Sequence, residues 1–436
     1  MAQRAKFWSV FIVLALLAVT ALADAPQLAE TTKISTLRWK KIVIPIAFSN
    51  SLLRPNPAIR PDSDIQGAIR NSLDTWEAAA NIEFQVSWTE KSAISPAGNA
   101  GDGTSLVTVA QTPENLLVFG GEASDIAART RVFFNRKNEI SEADIVLNPY
   151  QQFSTDGAIG TFDFESTLKH EIGHLLGLEH STVVGATMNE LQGKNGVFNL
   201  PGYFSPRTLS EDDVTQIRAL YGARDDDECC GALDGKLSLA NGRAAKSFNV
   251  WLEEPETGRV IVGSRVNADG SFLLKGLNPS KYQIYAQDPV NNFGGQSLGE
   301  VEIAKNKTTS FVRKITPQAN DFDVQLTGFM GQLSRLAIPI NGGKSYTIYV
   351  GGKNLNPEDF KIGTTSPFLT VAGGNFTKYD YGKDISVFSF EIKAMPETPV
   401  GDYTIYLQKN DGKIQFLTGN LSVEKFSNSG GNLASE

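Results

Sequence analysis

Cysteine is almost missing from this 436-residue chain: only Cys229 and Cys230 occur, and they are neighbours. A disulfide framework is thereby excluded, so the fold must hold by packing and by any ions it binds. Adjacent cysteines can close only a small, strained ring, and the pair reads as a linker feature with no catalytic part. Blocks of basic residues are missing as well. With 40 Lys and Arg against 48 Asp and Glu the formal net charge is -8, and no cluster is present to neutralise phosphates, which excludes nucleic acid as a partner. Histidine is scarce as well, with three copies.

The apolar run from Phe7 to Val19 is shorter than the ~20 residues a spanning helix needs. It follows Arg4 and Lys6 and precedes Ala21-Leu22-Ala23, the pattern of a cleaved signal peptide over residues 1–23. The expected product is secreted and extracellular (periplasmic or on the cell surface if bacterial), with no membrane span after cleavage. The near absence of cysteine suits a bacterial exported protein. The hydrophobic content of 41% and charged content of 20% are those of a globular chain, and the length suggests about three cores.

After a short segment at 24–36, Ile42, Ile44, Ile46 and Phe48 alternate as in a strand. Ile65, Ile69, Leu73 and Trp76 recur at helical spacing behind Pro61-Asp62-Ser63-Asp64. Strand patterns follow at Ile82 to Trp88, Leu106 to Ala110, Arg131 to Asn135 and Ala143 to Leu147. Asp163 can cap a second helix with the stripe Leu168, Ile172, Leu175 and Leu176, for which Gly177 is the stop. A third helix starts at Leu209-Ser210-Glu211-Asp212-Asp213, its acids near the positive end of the dipole, and ends at Tyr221-Gly222. The fold class expected is α+β over 37–223, a mixed twisted sheet plus three helices. An acidic linker with the cysteine pair follows at 224–230. Two all-β sandwich domains then occupy 231–315 and 320–425, before a flexible tail at 426–436.

The chemistry is concentrated in eleven residues. All three histidines lie in His170-Glu171-Ile172-Gly173-His174-Leu175-Leu176-Gly177-Leu178-Glu179-His180. Helical residues four apart share a face, so His170 and His174 can present imidazole nitrogens to one ion while Ile172 packs behind them. Glu171 falls beside that ion without ligating it, where a general base belongs. A turn at Gly177 can bring His180 in as third ligand. Three neutral nitrogen ligands leave the fourth position of Zn²⁺ to water, which is the arrangement of a catalytic site.

These eleven residues resemble the metzincin consensus H-E-x-x-H-x-x-G-x-x-H, with Ala186-Thr187-Met188-Asn189 similar to the Met-turn that follows it. The resemblance implies a zinc-dependent endopeptidase acting on protein or peptide substrates, with one catalytic zinc on His170, His174 and His180, Glu171 as base and the Met188 thioether as an apolar floor. Ser181, the Leu209–Asp213 stretch and Ala219-Leu220-Tyr221-Gly222 look more like the matrixin branch than its sister branches. The strand Ala143 to Asn148 is similar to the matrixin edge strand that bounds the cleft, which makes Ala143, Ile145 and Leu147 substrate-cleft candidates. An ordinary sheet strand remains the alternative.

The resemblance covers Leu37 to Gly222 and departs from the matrixin pattern in two ways. No histidine is left for a second, structural zinc, and the segment before Ser35 has no cysteine to latch the site. Calcium is a second candidate ion in loops such as Gly101-Asp102-Gly103 or Gly120 to Asp125. With Asp269-Gly270-Ser271-Phe272 and Gly276-Leu277-Asn278-Pro279-Ser280-Lys281-Tyr282, the first β-module resembles Ig-like sandwiches of the carboxypeptidase regulatory type, which implies that the β-modules bind a polymer or protein surface. Two alternatives stay open: a surface adhesion or matrix-binding protein with a vestigial peptidase, and a narrow processing protease.

Overall fold

The chain's first core forms where alternating strands meet one amphipathic helix. The computed structural model describes residues 37–423 apart from 99, 121–125, 200–206, 225–228, 373–376 and 381–384. The expected signal peptide, the segment 24–36, most of the acidic linker, the Gly121–Asp125 loop and the tail lie outside the described residues.

Strand β1 (Arg38–Trp39) and β2 (Val43–Ser49) precede helix α1 (Ile65–Ala79), and β3 (Glu83–Thr89), β4 (Leu106–Thr108), the short helix α2 (Pro113–Leu117), β5 (Ala128–Phe134) and β6 (Glu139–Leu147) follow. Asp64 caps α1 by accepting from Gly67 N, and Ile65, Ile69, Leu73 and Trp76 are buried. The sheet runs β3-β2-β4-β6, with β1 and β5 also pairing with β6. Its pairs are parallel except β5 with β6, which is antiparallel.

This order corrects one expectation. Ala143, Ile145 and Leu147 do not lie on an edge strand; they are fully buried in β6, which has β4 on one side and β5 on the other. A strand buried on both faces reads as a near-continuous apolar run, so Ala143 to Leu147 marked the middle of the sheet. Among the described residues β5 pairs with β6 alone and forms the edge on that side of the sheet, as β3 does on the other.

Two short paired strands, β7 (Phe153–Ser154) and β8 (Phe162–Asp163), lead into helix α3 (Phe164–Leu175), and α4 (Glu211–Tyr221) closes this part. Asp163 caps α3 through Ser166 N. Trp76 Nε1 donates to Lys169 O at 3.0 Å, tying α1 to the back of α3. With α2 there are four α-helices among the described residues, one more than the pattern predicts; a five-residue helix offers too few turns for a periodic stripe.

No α-helix follows Tyr221 among the described residues. Strands β9 (Gly231–Leu239), β10 (Asn249–Glu253), β11 (Val260–Arg265), β12 (Ser271–Leu277), β13 (Ser280–Asp288), β14 (Phe293–Ile303) and β15 (Thr308–Ile315) form two sheets, β11-β10-β13-β14 and β12-β9-β15. Among the described residues between 323 and 423, ten further strands form a six-stranded and a four-stranded sheet. The middle and last β-parts have separate apolar cores around Ile284 and Ile348.

Between these β-parts lies a buried acid. Glu253 on β10 is 1% exposed and accepts from Trp251 Nε1 at 2.9 Å and from Thr404 Oγ1 at 2.7 Å. Burial pushes its carboxyl up from 4.5 to about 7. The folded state therefore holds this proton more tightly than the unfolded chain does. The resulting stabilisation is full below about pH 4.5 and is lost as the pH rises through about 7. Glu253→Gln keeps the acceptor without the charge. Unfolding free energies of the variant and the parent from urea melts should be similar near pH 4.5 and differ by about 3 kcal/mol in the variant's favour at pH 8.

Candidate metal centre

Helix α3 is buried almost all round, and it presents His170 and His174 one turn apart. The chain then reverses at Gly177, whose φ of 98° is the left-handed conformation glycine tolerates. A Cβ there would also overlap Leu37 O. This turn returns His180 to the other two histidines. His174 Nε2 lies 3.1 Å from His170 Nε2 and 3.2 Å from His180 Nε2.

Two carbonyls aim the rings. His170 Nδ1 donates to Thr187 O at 2.8 Å and His174 Nδ1 donates to Leu178 O at 2.9 Å. With the protons on Nδ1, both Nε2 atoms carry lone pairs, and these face each other with no hydrogen between them. Burial favours the neutral rings: it holds His170 well below the ordinary value, lowers His174, and brings His180 down to about 4. Converging lone pairs repel unless a cation lies between them. The spacing is close to the roughly 3.3 Å between ligands of a tetrahedral ion with ~2.05 Å bonds. The donor set fits Zn²⁺.

Glu171 is 4% exposed and points toward the edge strand, where Thr130 Oγ1 on β5 donates to its Oε2 at 2.5 Å. Burial raises its carboxyl to about 7, opposed by the Thr130 hydrogen bond and the Arg129 charge. Thr130 was not singled out in the sequence, since its link to Glu171 depends on how β5 packs against α3.

Met188 is 1% exposed and lies under α3 at Gly173, where a Cβ would overlap the Met188 sulfur and stand 3.1 Å from Trp76 Cζ2. Asp213 holds the turn that carries it. Its carboxylate accepts from Thr187 N at 2.8 Å, Met188 N at 3.0 Å and Ser210 N at 2.9 Å, while Ser210 Oγ accepts from Asp213 N in a capping box. The acids at the start of α4 are expected near the positive end of the helix dipole, and Asp212 and Asp213 are in addition buried, at 1% and 0% exposure. Ser181 N donates to Met188 O at 2.8 Å, stapling the turn to the segment after His180.

Among the described residues the three histidines are the one group of His, Cys, Asp or Glu placed to share an ion. In the Gly101-Asp102-Gly103 loop the Asp102 carboxylate pairs with Lys91 and accepts from Thr104 N, and calcium gains no support there. Cys229 and Cys230 are bonded to each other, well removed in sequence from the histidines.

Residues 39–222 match the family model described as Matrixin, a peptidase family. Metalloendoproteinase 1 of Glycine max is 28% identical over 192 residues, which cover 42% of this chain and 53% of that protein. Matrilysin of Mus musculus is 34% identical over 73 residues, 17% of this chain and 25% of that one. The chain thus spans about half the length of the first relative and a quarter of the second. The major pilin subunit of Bacillus cereus aligns at a TM-score of 0.18 and 15% identity, over 43% of this chain and 66% of that one, too low for any inference about the β-parts.

Two substitutions test the floor of the site by urea unfolding. Gly173→Ala should destabilise by about 1–3 kcal/mol, because the added methyl overpacks Met188 and Trp76. Asp213→Ala strands three backbone N–H groups and should cost about 3 kcal/mol or more.

Proposed function

We propose that the segment matching the matrixin model is a zinc-dependent endopeptidase, exported after cleavage of the N-terminal segment behind Ala23. The observation that carries this reading is the convergence of three Nε2 atoms within 4.8 Å of one another, with Glu171 on the same helix. When bound, zinc supplies Lewis acidity and lowers the pKa of water. His170, His174 and His180 hold it, and the Thr187 and Leu178 carbonyls keep the first two rings aimed.

The chain's own residues do the rest. β5 is the outermost strand on its side of the sheet among the described residues, next to α3, and an extended peptide can add there by main-chain pairing. Thr130 holds Glu171 Oε2, leaving Oε1 to take a proton from the attacking water and pass it to the leaving nitrogen. Met188 and Gly173 close the floor and keep water out from below. All three histidines and Glu171 are in place, which weighs against a vestigial site on an adhesion protein. The β-parts are read as Ig-like sandwiches.

Metal analysis of the purified chain should find one zinc, lost in His174→Ala. Glu171→Gln should keep the zinc and lower kcat on an unfolded protein substrate by about 10²–10⁴. Two tightly held zincs, none at all, or a Glu171→Gln protein cleaving at the parent rate would each overturn the reading.

A further inference from the structure

The residues between His180 and the loop beyond Met188 are enclosed by parts of the chain that lie far along the sequence. Val183 and Ala186 are buried in one apolar cluster with Trp251 and Val260 of the middle β-part and Phe416 of the last. Trp251 stacks on Tyr285 at 5.3 Å, and Phe416 meets Trp251 edge-on at 5.4 Å. Val184 N donates to Thr418 O at 3.1 Å. Side chains from one part press on glycines of another, since a Cβ on Gly185 would overlap the Asp402 carboxylate, one on Gly419 would overlap the Val183 side chain, and one on Gly263 would strike the Thr182 hydroxyl. Beyond the turn, Phe198 is fully buried in the core of the last β-part.

A polar link follows the same route. Asp212 on α4 accepts from Gly263 N of β11 at 2.7 Å and from Gln216 Nε2 at 2.6 Å. The Ser181 hydroxyl lies near the same carboxylate and favours its charged form, and Ser181 Oγ accepts from Val183 N at 3.0 Å. Ser181 is the residue after His180. One buried carboxylate thus joins the neighbour of the third histidine to the main chain of the middle β-part.

We infer that the two β-parts are a brace for the metal centre: through Asp212, Phe416 and Phe198 they fix the course of residues 181–198, and with it the third histidine and the cleft wall. A tethered spacer or an independent binding module would need no such seam. A histidine on an unsupported loop would sample positions that cannot ligate, and metal affinity falls with the fraction of time it does so. Asp212, Phe416 and Phe198 are positioning residues that touch neither metal nor substrate.

The inference rests on the zinc reading for its effect on metal, and the test separates the two. Full-length Asp212→Ala, Phe416→Ala and the milder Phe416→Leu are compared with Phe311→Ala, which weakens the core of the middle β-part from β15 without touching the seam. In metal-free protein, hydrogen exchange of amides 181–189 should quicken about tenfold in Asp212→Ala and Phe416→Ala, less in Phe416→Leu, and not in Phe311→Ala. Zinc dissociation constants from chelator competition should rise about 10- to 100-fold in the same order. The visible spectrum of the Co²⁺ form should change in the seam variants only. Unchanged exchange at 181–189 in both alanine seam variants, or equal quickening in Phe311→Ala, overturns the brace. A parent chain that takes up neither Zn²⁺ nor Co²⁺ overturns the zinc reading and leaves the exchange comparison to decide the brace.

Discussion

Two hydrogen bonds, from His170 Nδ1 to Thr187 O and from His174 Nδ1 to Leu178 O, set the tautomers on which the site depends. They put the protons on the far side of each ring and so leave lone pairs to converge. Leu178 is held by the turn at Gly177. Thr187 is held by Asp213, which is itself fixed by the cap of α4. The three stretches that build the site are therefore coupled, and α4 acts on His170 through one peptide unit. Outer partners of this kind orient ligands and tune them.

Much of this was legible in the chain. The caps Asp64, Asp163 and Ser210 act where their side chains predict, because a cap needs only a neighbouring amide. The spacing of the three histidines also carried its meaning, as the helix and the glycine turn are local structures. Legibility failed where burial has two sides: in β6, Ala143, Ile145 and Leu147 resemble one face of a strand, but Asp144 and Val146 between them are buried too. An interior strand leaves no alternation to read, so its place in the sheet was misjudged and the true edge, β5, passed over.

The acids of α4 show a second limit. Glu211-Asp212-Asp213 at a helix start suits solvent and the dipole equally well, and nothing nearby distinguishes a surface acid from one that organises a core. Their partners, Thr187, Met188 and Gly263, lie 25 to 51 residues away. Contacts at that separation depend on how whole elements dock, and the sequence has no periodic mark for docking. The same holds for Thr130 and Glu171, 41 residues apart.

Glycines 185, 263 and 419 line the seam, where the facing side chains of Asp402, Thr182 and Val183 leave no space for a methyl group. Such a joint limits how the gene can evolve by rearrangement. A recombination event that replaced either β-part with a foreign sandwich would set side chains against positions 182–186, beside the third histidine. The three parts are thus bound to be inherited together, and substitutions on one side of the joint must be matched on the other.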